Sequence, residues 1–152
     1  MIISFIGHSF VPSNGRIKEI VKEEIRKYAY CVKDVTCYLG GYGDFDEICA
    51  CACRELKKER EGVELFYVTP YIDLRRQQKI KEMHNLKLYD GSIYPPIERV
   101  PLKYAIVKRN EWMMMTADLV IAYINKNSGG AYLAFKYAKR KQKTIVNICD
   151  FL

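Results

Sequence analysis

The sequence predicts an α/β fold: a doubly wound, mostly parallel sheet of about five strands with helices on its faces. Three observations lead there. Short β-branched and aromatic runs alternate with stretches of helical periodicity along most of the chain, which is the pattern of successive βα units. The runs at 63–69 and 118–124 are apolar enough to lie in the middle of a sheet. Two of the strand-to-helix turns are glycine-rich, and such turns gather at the edge where open α/β sheets bind ligands.

The elements follow in order. Ile2-Ile3-Ser4-Phe5-Ile6 is a strand ended by Gly7-His8-Ser9. A helix from about Arg16 to Tyr30 carries Ile17, Val21, Ile25 and Tyr28 on one stripe, with Ser13 or Asn14 as its cap. Val35, Thr36, Tyr38 and Leu39 mark a second strand, which stops at Gly40-Gly41-Tyr42-Gly43. The helix after it repeats Phe45, Ile48, Cys49, Ala52, Cys53 and Leu56 at three- and four-residue steps. Asp44, with Glu47 three residues on, is suited to cap it. Val63 to Thr69 is the third strand.

From Pro70 to Pro101 the rhythm breaks. Arg75 to His84 predicts a short, very basic helix, and Tyr94-Pro95-Pro96 forces an extended path. Irregular stretches of this length inside a domain are usually lids or binding loops. Tyr104 to Thr116 is helical again, with Ala105, Ile106, Arg109, Trp112 and Met113 on its inward stripe. Asp118 to Ile124 is the fourth strand, and a second glycine turn, Ser128-Gly129-Gly130, leads into a helix with Ala131, Ala134, Phe135 and Ala138 inward. Lys143 to Ile148 is the last strand. No repeat, low-complexity segment or domain boundary interrupts 1–152, so one domain is expected, long enough to bury a real core.

Composition narrows the function classes. The chain has 25 Lys and Arg against 18 Asp and Glu, a net +7, which admits a nucleotide, a nucleic acid or an acidic surface as partner. The first helix mixes Lys and Arg with Glu and reads mainly as a solvated face. Lys136, Lys139, Arg140, Lys141 and Lys143 form a one-sign cluster that equally complements a helix C-terminus. No apolar run is long enough to span a membrane, and the apolar start lacks the basic flank of a signal peptide. The six cysteines, Cys31, Cys37, Cys49, Cys51, Cys53 and Cys149, contain no CxxC pair. They read as small core residues in a reducing, cytoplasmic setting rather than as ligands of a metal, and no cofactor is expected.

The chemistry concentrates in the turns. A strand, a glycine turn and a helix bring free backbone N–H groups and a helix N-terminus to one spot, which suits phosphate. Gly40, Gly41, Gly43, Asp44 and Asp46 are candidates at the first such turn, the aspartates to meet ribose hydroxyls or a metal. A capped turn whose glycines serve only the backbone explains the same pattern. Gly7 and His8 end the first strand at the same sheet edge, and Ser128, Gly129 and Gly130 make the second glycine turn. Arg109 falls on a face that should be buried, and a buried guanidinium needs an anionic or carbonyl partner; a ligand role is favoured over a structural one. Asn110 beside it is a further candidate whose face also suits ordinary helix surface.

Taken together, FIGH at 5–8, GGYGDFD at 40–46, YPP at 94–96, KRNEWM at 108–113, DLVIAY at 118–123 and SGGA at 128–131 make the chain resemble the SLOG superfamily of Rossmann-like nucleotide-binding proteins. The resemblance covers nearly the whole chain and implies a nucleotide or ADP-ribose-like ligand at the C-terminal edge of the sheet. The superfamily includes the Lonely Guy phosphoribohydrolases, the single-stranded-DNA-binding DNA-processing protein A family and sensors of NAD-derived signals. Lonely Guy enzymes carry PGGxGTxxE after the fourth strand and an Arg on the preceding helix. Arg109 matches that Arg, but here the turn reads SGGAYLAFK: Tyr132-Leu133 replaces the Gly-Thr pair and Lys136 the Glu. Nucleotide N-glycosidic hydrolysis, the alternative function, would need another carboxylate, with Asp46, Glu47 and Glu111 as catalytic candidates. Nucleic-acid binding is possible and not favoured. The Lonely Guy resemblance also implies a homodimer.

Overall fold

Strand β1 (Ile2–Gly7) runs through the middle of a six-stranded sheet. On one side lie β2 (Val35–Leu39), β3 (Val63–Val68) and β4 (Gly91–Ile93); on the other lie β5 (Leu119–Tyr123) and β6 (Thr144–Asn147). The order is β4-β3-β2-β1-β5-β6, and every pairing is parallel. Helices α1 (Gly15–Tyr28), α2 (Asp44–Glu59), α3 (Leu74–Asn85), α4 (Ala105–Thr116) and α5 (Gly130–Arg140) make the crossovers. The structure is a computed structural model that describes residues 1–12 and 14–152.

Side chains alternate across a strand, and β1 shows what that does to the two layers. Ile3 and Phe5 join Ile17, Val21 and Ile25 of α1 and Phe45, Cys49, Cys53 and Leu56 of α2 in one core. Ile6 joins Met113 and Met114 of α4 and Ala134 and Ala138 of α5 in the other. Ser4, fully buried, donates its hydroxyl to the Met113 carbonyl at 2.8 Å, so this hydroxyl is not stranded in the core. Cys37, Cys49 and Cys53 are buried free thiols, and burial pushes those of Cys49 and Cys53 well up.

The sheet has six strands, not about five. The extra one, β4, lies in the stretch from Pro70 to Pro101, and its Gly91-Ser92-Ile93 is too short for periodicity and built from two weak strand formers. Tertiary contacts impose it. Asp90 accepts the Leu65 N–H at 2.7 Å and donates its own N–H to the Leu65 carbonyl at 2.8 Å, which fixes the register of Phe66 against Gly91.

The helix starts differ in kind. Asn14 caps α1 by accepting the Arg16 N–H at 3.0 Å, and Ser13 lies outside the described residues. No side chain caps α2; its N-cap is Gly43, and Asp44 instead accepts the Val11 N–H at 2.9 Å, tying the loop after β1 to the helix. Charges on α1 that read as solvated partly cross to α2: Lys22 is 3.2 Å from both Glu55 and Glu59, and Arg26 is 2.7 Å from Glu59. Among the described residues, no helix is long and apolar enough to cross a membrane.

Candidate anion-binding cleft

A doubly wound sheet leaves a crevice beyond the C-terminal ends of its strands where the strand order reverses. Here the reversal falls between β1 and β5, and a cleft of about 780 Å³ opens there. The end of β1 brings Gly7 and His8 to it, the turn after β2 brings Gly40 and Gly41, and α2 brings Asp46. Arg109 and Asn110 reach it from α4, and Ser128, Gly129 and Gly130 form its wall at the start of α5.

Gly43 and Asp44 sit in the β2–α2 turn but do not line the cleft. Glu47 lies on the exposed side of α2, 3.4 Å from Arg54, and Glu111 is bonded to Lys108 at 3.0 Å on the outer side of α4. Of the three catalytic candidates, the fold brings only Asp46 to the cleft. Ile106, expected on the inward stripe of α4, is 46% exposed and forms part of the cleft rim.

Arg109 is only 5% exposed, and carbonyls hold it. Its Nη1 donates to Val68 O at 2.7 Å and to Gly40 O at 3.1 Å, joining the ends of β3 and β2, while Nε donates to Asn110 Oδ1 at 2.9 Å. Nη2 has no acceptor among the described residues. Burial lowers the guanidinium's affinity for its proton, and the nearby Asp46 carboxylate works against that. Asp46, 8% exposed, accepts the Tyr42 N–H at 3.0 Å through Oδ2. Burial pushes its carboxyl up to about 6, against the opposing effects of the Tyr42 N–H and Arg109. A Cβ placed on Gly40 would come within 3.1 Å of Arg109 Nη1 and 3.2 Å of Asp46 Oδ2, so the two charged groups flank that glycine.

His8 Nε2 accepts the backbone N–H groups of Asn125 and Lys126, each at 3.3 Å. An imidazole that accepts at Nε2 is neutral and carries its proton on Nδ1. Burial, and then Lys126, lower its pKa and favour that form. The histidine thereby pins the loop that leads into α5.

Helices α2 and α5 begin alike and diverge within one turn. Gly43 has φ 91° and ψ 175°, and Gly129 has φ 93° and ψ 171°, a region that only glycine occupies readily. The first turn of α2 then supplies Asp44, Asp46 and Glu47 to complement its own dipole, whereas that of α5 contains no acid and has no side-chain cap. Nothing lies within 4 Å of a Cβ built on Gly129 or Gly130. The start of α5 is open to the cleft, and the start of α2 is largely self-complemented.

Sequence reasoning missed Tyr71, Arg76, Lys79 and Lys126, which also line the cleft. The basic character of 75–84 was the available signal. It did not indicate a direction, because α3 fully buries none of its residues and half-buries only Arg76, Ile80 and Met83, too few apolar positions to read as a stripe. Among the described residues, no group of three or more His, Cys, Asp or Glu side chains is placed to hold a metal ion.

No protein-family model matches the sequence, and no curated protein matches it. Among solved structures, the chain is similar to DNA processing protein A from Helicobacter pylori, described for its single-stranded DNA binding mode. The TM-score is 0.60 at 18% identity, over 95% of this chain and 63% of that one. The fold is Rossmann-like. The molybdenum cofactor carrier protein MCP from Chlamydomonas reinhardtii shares it, with a TM-score of 0.56 at 12% identity over 96% of this chain and 74% of the carrier. The Rossmann-like chain thus spans less than two thirds of the DNA processing protein A chain, and at these identities the likeness is one of fold. It is the fold that the SLOG resemblance implies.

Proposed function

We propose that this chain binds a nucleotide or nucleotide-derived, ADP-ribose-like anion in the cleft, with a phosphate at the start of α5. One observation carries the reading: Arg76, Lys79, Arg109 and Lys126 converge with an uncapped helix N-terminus on a cleft whose lining holds a single carboxylate, Asp46. Such a site concentrates positive potential in a low-dielectric crevice and selects for anions. The unpaired Nη2 of Arg109 is then a donor for phosphate, and Asp46 an acceptor for ribose hydroxyls. Homodimerisation rests on the resemblance alone, and a cytoplasmic location on the cysteine usage and the apolar patterning of the sequence.

Gly129→Ala tests this reading. The new methyl group meets open space, but the backbone there suits only glycine, at a cost of about 1–3 kcal/mol for any other residue. The turn should relax and turn the α5 N–H groups away from the cleft. Binding of AMP and of ADP-ribose, measured by calorimetry, is expected to weaken about tenfold or more, with only a small drop in melting temperature. Undiminished affinity would remove the start of α5 from the site. If mononucleotides fail to bind and an oligonucleotide binds with steep salt dependence, a nucleic-acid reading replaces this one.

Asp46 favours a second reading, N-glycosidic cleavage of the bound nucleotide. A cleft carboxyl pushed up to about 6 can exchange a proton near neutral pH, as general acid–base chemistry requires. Free base released by the wild type and not by Asp46→Asn would establish it.

A further inference from the structure

A second cavity, of about 370 Å³, lies between α3 and the β3–β4 edge of the sheet. We infer that it is the base compartment of the same site, taking the flat aromatic ring of a ligand whose phosphate lies in the cleft; this rests on the nucleotide reading above. Tyr67 and Tyr71 line both cavities, so the two spaces adjoin. Arg76 marks the seam, donating through Nη1 to the Tyr67 hydroxyl and stacking its guanidinium over the Tyr71 ring at 5.4 Å.

The walls suit a ring rather than a charge. Tyr67, Tyr71, Tyr89 and Tyr94 supply aromatic surface, with Ile80 and Met83 of α3 opposite; no carboxylate lines the space, and Lys81 and His84 are its one cation and one imidazole. Tyr67 and Tyr89 already sit as a tilted pair, centroids 5.7 Å apart. The volume falls in the range of small-molecule pockets. Stacking on such surfaces is sequence-tolerant because every base has a π-face. Gln77, whose Nε2 donates to Ile72 O at 2.6 Å, keeps its Oε1 available at the wall as an acceptor for an exocyclic amine. The cavity also explains a peculiarity of α3, which runs beside the sheet without burying a residue against it.

The test compares AMP, GMP, CMP and UMP with ribose 5-phosphate by calorimetry, on wild type and on two variants that fill the compartment. Ser92→Phe fills it from the exposed face of β4, and Met83→Trp from α3. In the wild type, at least one of the four is expected to bind about tenfold or more tightly than ribose 5-phosphate. In both variants that advantage should vanish while ribose 5-phosphate binds as before. Equal binding of all five ligands by the wild type would overturn the base compartment and leave the phosphate reading standing. A base advantage that survives in a variant with a native melting temperature would overturn it as well. Failure of all five to bind would remove both readings.

Discussion

Arg109→Ala is expected to lower the stability of the ligand-free protein by about 3–5 kcal/mol, the usual cost of removing one member of a buried charged network. The guanidinium holds the carbonyls of Val68 and Gly40, so alanine leaves two buried acceptors without their donor and Asp46 without its neighbouring cation. At roughly 2–4 °C per kcal/mol for a chain of this size, the melting temperature should drop by about 10 °C. Arg109→Lys should recover only part of this, because one ammonium cannot span both carbonyls and Asn110 in the same geometry. Thermal melts without ligand decide the matter: an unchanged melting temperature in the alanine variant would show that the carbonyl contacts carry no stability.

Asp46→Asn is expected to act in the opposite direction, raising stability at pH 7 by about 2–3 kcal/mol. The carboxyl titrates at about 6 in the folded chain against an ordinary value of 3.8. Between those values the folded state holds a proton that the unfolded state has released, so stability falls as pH rises through the window. The contribution is complete below pH 3.8 and lost above about pH 6. A span of about two pH units, at about 1.4 kcal/mol each, gives about 3 kcal/mol, a figure from which the attraction to Arg109 is already subtracted, since it helps set the folded value. Asparagine stays neutral throughout and can still accept the Tyr42 N–H through its amide oxygen. Urea titrations at pH 5 and pH 7.5 should therefore show the wild type losing stability with pH and the variant nearly level. Parallel behaviour of the two proteins would refute the assignment.

Much of the fold was legible because the βα units speak locally. The strand runs around Ile3, Val35, Leu65 and Val120 and the helical stripes of Ile17 and Phe45 each need only their own neighbours to be read. What escaped was tertiary. β4 exists because Asp90 clamps Leu65, and nothing in Gly91-Ser92-Ile93 announces it. The cleft was legible through its turns and through the buried position of Arg109. The sequence could not choose between a phosphate and a carbonyl as the partner of that guanidinium, since the carbonyls belong to strand ends 41 and 69 residues away. Arg76 and Lys79 were hidden for another reason: a helix that fully buries no residue carries too little apolar pattern for its inward side to be read from its own residues.

The matched glycine starts of α2 and α5 have a consequence for stoichiometry. Asp46 is a ligand tethered to its own binding turn, and a tether of a few bonds gives an effective concentration that a dissolved phosphate does not reach. At the α2 start the chain itself meets the donors of the turn, Asp46 taking the Tyr42 N–H and the Ser9 carbonyl the Asp44 N–H. The α5 start has no such internal competitor. Two helix ends of nearly identical geometry thus amount to one place for a dissolved anion per chain.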